Sequence, residues 1–334
     1  MEAPLNLFSR RNKDHRCIGV SLCQDGLGVA IISASKSTGN VPVLEHAAQV
    51  CCKPEEYSAT LKQMVEGLNL DNAPCIGVMP RTSYNLMQTE LPEVPANELS
   101  EAVRWQMRDL LDFPADDAVI ETIAFNDTAN GQPLSFAIAA QRNKVQELVE
   151  VVRDGAGLNL RSIDIPELSL RALLKDMAGS DQGLALLLLW GKSGMVVITR
   201  EDELCMARKV GVGLEALLSA AEPEPEAGVD ISMAQQELLD EAILDIQRSL
   251  DFYESNVARR PVRKVLIAPL GLPLPGLVEY LDTYLNPEVG FLDLNQILEL
   301  KHPRTDTNAY GAEQITPCIL PAISAAMRAL ELQP

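Results

Sequence analysis

One pattern, used twice, constrains this chain more than any other feature. Cys17–Cys23 is an apolar run, Gln24-Asp-Gly26 turns, Leu27–Ser33 returns, and Val43–Val50 follows a stretch of small polar residues. Leu184–Trp190, Met195–Thr199 and Leu204–Val210 repeat this set of three strands. The first of them is almost unbroken leucine, as expected of a central strand covered on both faces. Each set is followed by a helix-spaced segment and another short apolar run. The first pair is Glu55–Leu68, with Tyr57, Leu61, Met64, Val65 and Leu68 on one face, and then Cys75–Met79. The second is Met233–Asn256, striped by Leu239, Ile243, Ile246 and Leu250, and then the strand that opens at Val265. The chain therefore reads as an α/β protein made of two copies of one half-domain.

A different block interrupts the first copy. Residues 83–157 run strand, helix, strand, strand, helix: Tyr84–Glu90, a helix from Asn97 carrying Leu99, Val103, Met107 and Leu110, strands Val119–Phe125 and Leu134–Ala140 around Asn130-Gly131, and a helix over Arg142–Asp154 ended by Gly155 and Gly157. This is the order of a small split β-α-β insertion. Leu158–Asp164 and a helix from Pro166 through Met177 resume the core. The expected organisation is a first half over 1–82, completed by 158–180 and 308–334, the insertion at 83–157, and a second half over 181–307. Glu222-Pro-Glu-Pro-Glu226 reads as a stiff charged linker. Ser232 with Gln235 reads as a capping box for the long helix.

Charge and composition exclude several functions. A formal net charge of −19 and 4% aromatic content argue against nucleic-acid binding and against adhesion to anionic lipid. The basic cluster Arg10, Arg11, Lys13 and Arg16 reads as a solvated tail, with contact to a membrane surface as the alternative. The eight acids between Glu222 and Asp245, with no Lys or Arg among them, read as a solvated face, with a docking surface for a basic partner as the alternative. Charges at 9–16 leave no signal-peptide core, and the most apolar stretch, Leu184–Ile198, is broken by Gly191, Lys192 and Ser193, so a cytosolic protein without a membrane span is expected. The seven cysteines are scattered and odd in number, and all are expected to be structural thiols. His15, His46 and His302 stand far apart, so no zinc site is expected.

Three segments carry a family resemblance: Leu91-Pro-Glu-Val-Pro-Ala-Asn-Glu-Leu99 leading into Val103-Arg-Trp-Gln-Met107, Ile163-Asp-Ile-Pro-Glu-Leu-Ser-Leu-Arg171, and Ile246-Gln-Arg-Ser-Leu-Asp-Phe-Tyr253. In combination and order they resemble the PilM family of type IV pilus assembly proteins, over nearly the whole chain. The resemblance implies an actin-like, ribonuclease-H-like duplicated fold with an inserted small α+β subdomain at 83–157. It also implies three nucleotide motifs. Where the first phosphate loop has Asp-Ile-Gly, this chain has Ser21-Leu22-Cys23. Where the second has the same triplet, it has Leu189-Trp190-Gly191. The paired glycines of the adenosine turn are replaced by Pro269-Leu270-Gly271. Both carboxylates that would position magnesium or water are absent, so the expectation is no catalytic residue, no metal, no cofactor and no productive ATP hydrolysis.

Other motifs have plainer readings. Gly191-Lys192-Ser193 lacks the upstream glycine of a phosphate-binding loop, since Leu186 stands there, and reads as a hairpin turn. Gly26 with Gly28, and Gly211 with Gly213, read as turns and a helix start. Trp105 reads as core, and Arg104 with Arg108, four apart on one helix face, as a candidate partner contact.

The resemblance implies a non-enzymatic scaffold on the cytoplasmic side of the inner membrane, peripheral to it through partner proteins. It would hold the N-terminal cytoplasmic segment of a PilN-like inner-membrane protein in a groove built from parts of 17–80 and 83–157. The alternatives are a nucleotide-gated actin-like ATPase of the same machine and a GspL-like component of type II secretion. A sugar kinase would need a catalytic Asp beside a glycine-rich turn, and no such pair occurs.

Overall fold

The structure, a computed structural model, describes residues 15–23, 26–34, 41–70, 72–125, 134–175, 177, 183–221, 231–258, 260–300 and 315–332. The Asn130-Gly131 turn, the Glu222–Glu226 linker, Arg10, Arg11, Lys13 and His302 lie outside the described residues. The first half opens with β1 (His15–Cys23), β2 (Gly26–Ala34), β3 (Pro42–Val50), α1 (Tyr57–Val65) and β4 (Pro74–Val78). The insertion holds β5 (Tyr84–Gln88), α2 (Ala96–Met107), β6 (Ala118–Phe125), β7 (Leu134–Gln141) and α3 (Arg142–Val149), and α3 runs on as a wider π turn over Glu150–Gly155. The core resumes with β8 (Asn159–Asp164), α4 (Pro166–Ser169) and α5 (Arg171–Leu174). The single helix expected from Pro166 is thus two short pieces that meet at Leu170.

The second half holds β9 (Gly183–Leu189), β10 (Gly194–Arg200), β11 (Glu203–Val210), α6 (Leu214–Ser219), α7 (Met233–Phe252), β12 (Val262–Ile267), α8 (Leu277–Tyr284) and β13 (Glu288–Phe291). β14 (Glu299–Leu300) and α9 (Ile319–Glu331) end the chain. The capping box forms as the sequence implies: Gln235 N donates to Ser232 Oγ at 3.1 Å, and Ser232 N donates to Gln235 Oε1 at 3.0 Å.

The duplication is visible in strand order. One sheet runs β14-β3-β2-β1-β4-β8 and the other β11-β10-β9-β12-β13. In both, three antiparallel strands are extended by two parallel ones, with Ile18 beside Cys75 in the first and Leu186 beside Leu266 in the second. β14, within the range assigned from sequence to the second half, pairs instead with β3 of the first. The insertion forms its own sheet, β5-β7-β6, over a separate small core of Val103, Met107, Ala118, Ile120, Ala137 and Ala139.

α9 seals the first sheet. It lies on β1, β2 and β4, and the close approach is made possible by glycine: a Cβ on Gly19 would sit 1.8 Å from the carbonyl oxygen of Ala322. Nearly every α9 residue from Ile319 to Ala329 is buried, and the polar edge of the helix is left to Arg328 and Glu331. Among the described residues no helix is long and apolar enough to cross a membrane.

Candidate functional site

Strand ends from both halves converge on a cleft of about 550 Å³. Ser21, Leu22 and Cys23 reach it from β1, Met79 to Thr82 from the end of β4, Leu189, Trp190 and Gly191 from the end of β9, and Leu270 from the turn after β12. Thr316, Pro317 and Cys318, which lead into α9, also line it. The structure therefore brings together residues from all three degenerate nucleotide motifs. Pro269 and Gly271 flank Leu270, and Gly271 takes a left-handed φ of 76° with Thr316 packed where a Cβ would go.

Local chemistry explains each loop. Trp190 N donates to Ser193 O at 2.9 Å, so Gly191-Lys192-Ser193 is the β9–β10 hairpin turn. Gly213 precedes α6, and a side chain there would collide with the backbone of Gly191 to Ser193. Leu214 N and Glu215 N donate to the carbonyls of Trp190 and Gly191, which ties the turn to the start of the helix. The Trp190 indole donates to Pro317 O at 3.1 Å, crossing from the second half to the first.

The lining of the cleft includes Arg81, Lys192 and Lys209 and, among the described residues, no carboxylate. At the position of the first expected Asp stands Ser21, 2% exposed, and at that of the second stands Leu189, 1% exposed. Among the described residues no group of three or more Asp, Glu, His or Cys side chains is placed to hold a metal ion.

Where the first loop's glycine is expected, Cys23 is joined to Cys318 by a disulfide, with 6.0 Å between Cα atoms. This corrects the expectation of seven structural thiols. The partners are 295 residues apart, and no local spacing announces such a pair. Cys17, Cys51, Cys52, Cys75 and Cys205 lie outside the bridge, and burial pushes the Cys75 thiol far up.

Sequence reasoning missed the buried charges behind the cleft. Glu167, wholly buried in α4, pairs through Oε1 with Arg81 Nε at 2.9 Å and accepts a hydrogen bond at Oε2 from the Tyr84 hydroxyl. Asp164, at the end of β8, pairs with Arg328 of α9 and accepts from Ile165 N at 2.9 Å. Burial raises the carboxyl pKa of both acids, against the pull of Arg81 on one and Arg328 on the other. Their only sequence signal was membership of the Ile163–Arg171 segment.

A second cavity, about 560 Å³, separates the insertion from the first half. Consecutive residues line it from two strands: Glu121, Thr122 and Ile123 of β6, and Leu160 through Asp164 of β8. Side chains alternate along a strand, so lining by consecutive residues means the cavity lies along the strand edges. Both strands are terminal in their sheets. Ile138, Val145 and Val149 form an apolar floor, and Arg328 and Asp164 stand at one side. The groove was expected to draw its core wall from 17–80. In this cavity Met79 is what that range contributes among the described residues, and β8 supplies most of the core side, because the sheet places β8 outside β4.

Arg104 and Arg108 do not form one open face. Arg104 pairs with Glu101 and reaches Ala118 O at 3.4 Å, holding α2 to its own sheet. Arg108 lies 5.4 Å over the Trp105 ring. Trp105 is 64% exposed, which corrects its assignment to the core: Val103 and Met107 point inward, and Trp105 falls on the opposite side of α2.

No family model matches the chain, and no curated protein matches it. Among solved structures it is similar to a chain of a PilM–PilN type IV pilus biogenesis complex, with 19% identity, a TM-score of 0.73, and coverage of 95% of this chain and 99% of that one. It also matches the cytoplasmic domain of EpsL, an inner-membrane component of the type II secretion system of Vibrio cholerae, with 10% identity, TM-score 0.45 and 96% of each chain covered. A third match is a Bacteroides thetaiotaomicron protein of actin-like ATPase fold and unknown function, with 8% identity, TM-score 0.46 and 88% and 96% covered. The fold of this chain is the actin-like one.

Proposed function

We propose that this chain is a non-enzymatic scaffold of type IV pilus assembly that holds an extended segment of a PilN-like inner-membrane protein in the groove between β6 and β8. The observation that carries this reading is the groove itself. Two strand edges with no sheet neighbour among the described residues face an apolar floor, which is what an added peptide strand needs: main-chain partners for affinity and pockets for alternate side chains for register. The likeness in fold to a chain from a PilM–PilN complex supports the choice of partner. The proposed location is cytoplasmic, peripheral to the inner membrane through that partner. The finer reading is the mannose-sensitive haemagglutinin (MSHA) pilus system, with this chain MshI-like and its partner MshJ-like. It rests on the resemblance carried by Leu91–Met107, Ile163–Arg171 and Ile246–Tyr253.

The proposed absence of ATPase activity rests on the lining of the cleft. Its two carboxylate positions are Ser21 and Leu189, its first loop is bridged to Cys318, and the Trp190 indole is bonded to Pro317. A second reading, a nucleotide-responsive protein, has one observation in its favour: among the described residues three cations and no acid line that cleft, in a chain of net charge −19. Binding of the partner's N-terminal cytoplasmic peptide, followed by calorimetry beside a parallel titration with Mg-ATP, separates the two. Saturable peptide binding without nucleotide turnover supports the scaffold, and tight Mg-ATP binding with hydrolysis overturns it.

A further inference from the structure

Cys23 and Cys318 occupy an uncommon place for a bridge. Three other cysteines, Cys17, Cys75 and Cys205, are buried in the core and stay as thiols, while these two line an open cleft. Cys23 ends β1, and its carbonyl accepts a 2.6 Å hydrogen bond from the Tyr57 hydroxyl. Cys318 is the residue immediately before α9, a helix of 13 residues. The segment that carries Cys318 is where the halves meet. Thr316 Oγ1 bonds the Gln49 side chain of the first half, the methyl of Thr316 packs on Gly271 of the second, and Pro317 O takes the bond from Trp190 of the second. The bridge therefore fastens this crossing point to the end of β1.

We propose that Cys23–Cys318 is a reversible dithiol–disulfide site that fastens and releases the floor of the cleft. The two sulfurs have different environments. Cys23 is partly exposed to the cleft, whereas Cys318 is 5% exposed at the amino end of α9. A reductant can therefore reach Cys23 Sγ and not Cys318 Sγ, which makes Cys318 the sulfur that leaves, and the positive end of the helix offsets part of the cost of burying its thiolate. Reduction by a small dithiol then runs in two steps. A reductant thiolate attacks Cys23 Sγ, forms a mixed disulfide there and releases Cys318 as thiolate. The reductant's second thiolate displaces Cys23, leaving two protein thiols and one oxidised, cyclic reductant. Oxidation by a small-molecule disulfide is the reverse exchange: two protein thiols and one such disulfide give the bridge and two small thiols. No other oxidant is required.

The test is a redox titration of the folded full chain in a C51S/C52S background, which removes an exposed and a half-buried thiol near the same end of the sheet. The protein is equilibrated in graded mixtures of reduced and oxidised glutathione, quenched in acid, denatured, alkylated and weighed intact. Far-UV circular dichroism at each ratio reports whether it is folded. Five cysteines remain in this background, the sequence's seven less Cys51 and Cys52. The expected result is one transition from five labels to three across glutathione ratios at which the chain stays folded, absent in C23S and in C318S. The oxidised form should also melt about 3–6 °C higher, since a cross-link restricts the unfolded chain. Five labels at every ratio would mean that no bridge forms. Three labels until the chain unfolds would mean a fixed bridge. Either result overturns the proposal, and both are read on the background protein itself even if the single variants fail to fold.

Discussion

The Tyr84 hydroxyl donates to Glu167 across a boundary: Tyr84 opens the insertion's sheet, and Glu167 lies in α4 of the first half, 83 residues further on. Arg81, which lines the cleft, holds the other oxygen of the same carboxylate. One buried acid thus ties the insertion, the first half and the cleft wall together. Removing the phenolic oxygen in Tyr84→Phe leaves Glu167 short of a buried donor. The expected loss of stability is about 1–3 kcal/mol in urea unfolding. An unchanged midpoint would show that the hydroxyl contributes nothing to the junction.

The same carboxyl gives a pH prediction. Burial raises the Glu167 pKa above its ordinary 4.5, so the folded chain holds this proton more tightly than the unfolded chain does. Its contribution to stability is complete below the ordinary value and is lost as pH rises through the folded value. Asp164 acts in the same sense. Glu167→Gln removes one of these titrations. The stability of the variant relative to wild type should therefore rise as pH increases above the ordinary value of 4.5, measured by urea unfolding at each pH. A difference that is flat, or that falls with pH, contradicts the raised value.

Gly19 tests the seating of α9. A Cβ there would meet the Ala322 backbone at 1.8 Å, a contact that only movement of the whole helix relieves. Gly19→Ala is expected to cost about 3 kcal/mol or more, seen as a lower melting temperature. A near-neutral result would mean that α9 sits further from β1.

Trp105 and Met107, two residues apart on α2, should behave in opposite ways. Trp105→Ala is expected to shift stability by less than about 0.5 kcal/mol, and Met107→Ala, at a site 1% exposed, to cost about 2–5 kcal/mol. Equal losses would place both in the core.

Much of the fold is legible in the residues, and the reasons are specific. The Leu184–Leu189 run, the capping box at Ser232 and the alternation of helix-spaced and apolar segments are local signals, and local signals survive in a single sequence. The start of α9 is less plainly marked, because Pro321 stands in its first turn and its N-cap residue Cys318 makes no side-chain capping bond. Trp105 was assigned by residue type rather than by helix face. Ser21 to Cys23, Leu189 to Gly191 and Leu270 are legible because each sits in a motif with a known template, whereas Arg81, Lys209 and Thr316 to Cys318, which line the same cleft, sit in none. The Cys23–Cys318 bridge, the Glu167 junction and the β8 wall of the groove depend on partners tens to hundreds of residues away, which spacing cannot reveal.

The groove is the centre of this account, and Ile123 and Ile163 are its half-buried apolar walls on β6 and β8. The most direct measurement is isothermal titration calorimetry of the full chain, of Ile123→Asp and of Ile163→Asp with the N-terminal cytoplasmic peptide of the PilN-like partner. The predicted result is saturable one-to-one binding to wild type and a loss of about 10-fold or more in each variant, the expected cost of placing a charge where an apolar side chain should be buried. Absence of peptide binding by folded wild type, or binding that neither substitution weakens, would contradict it.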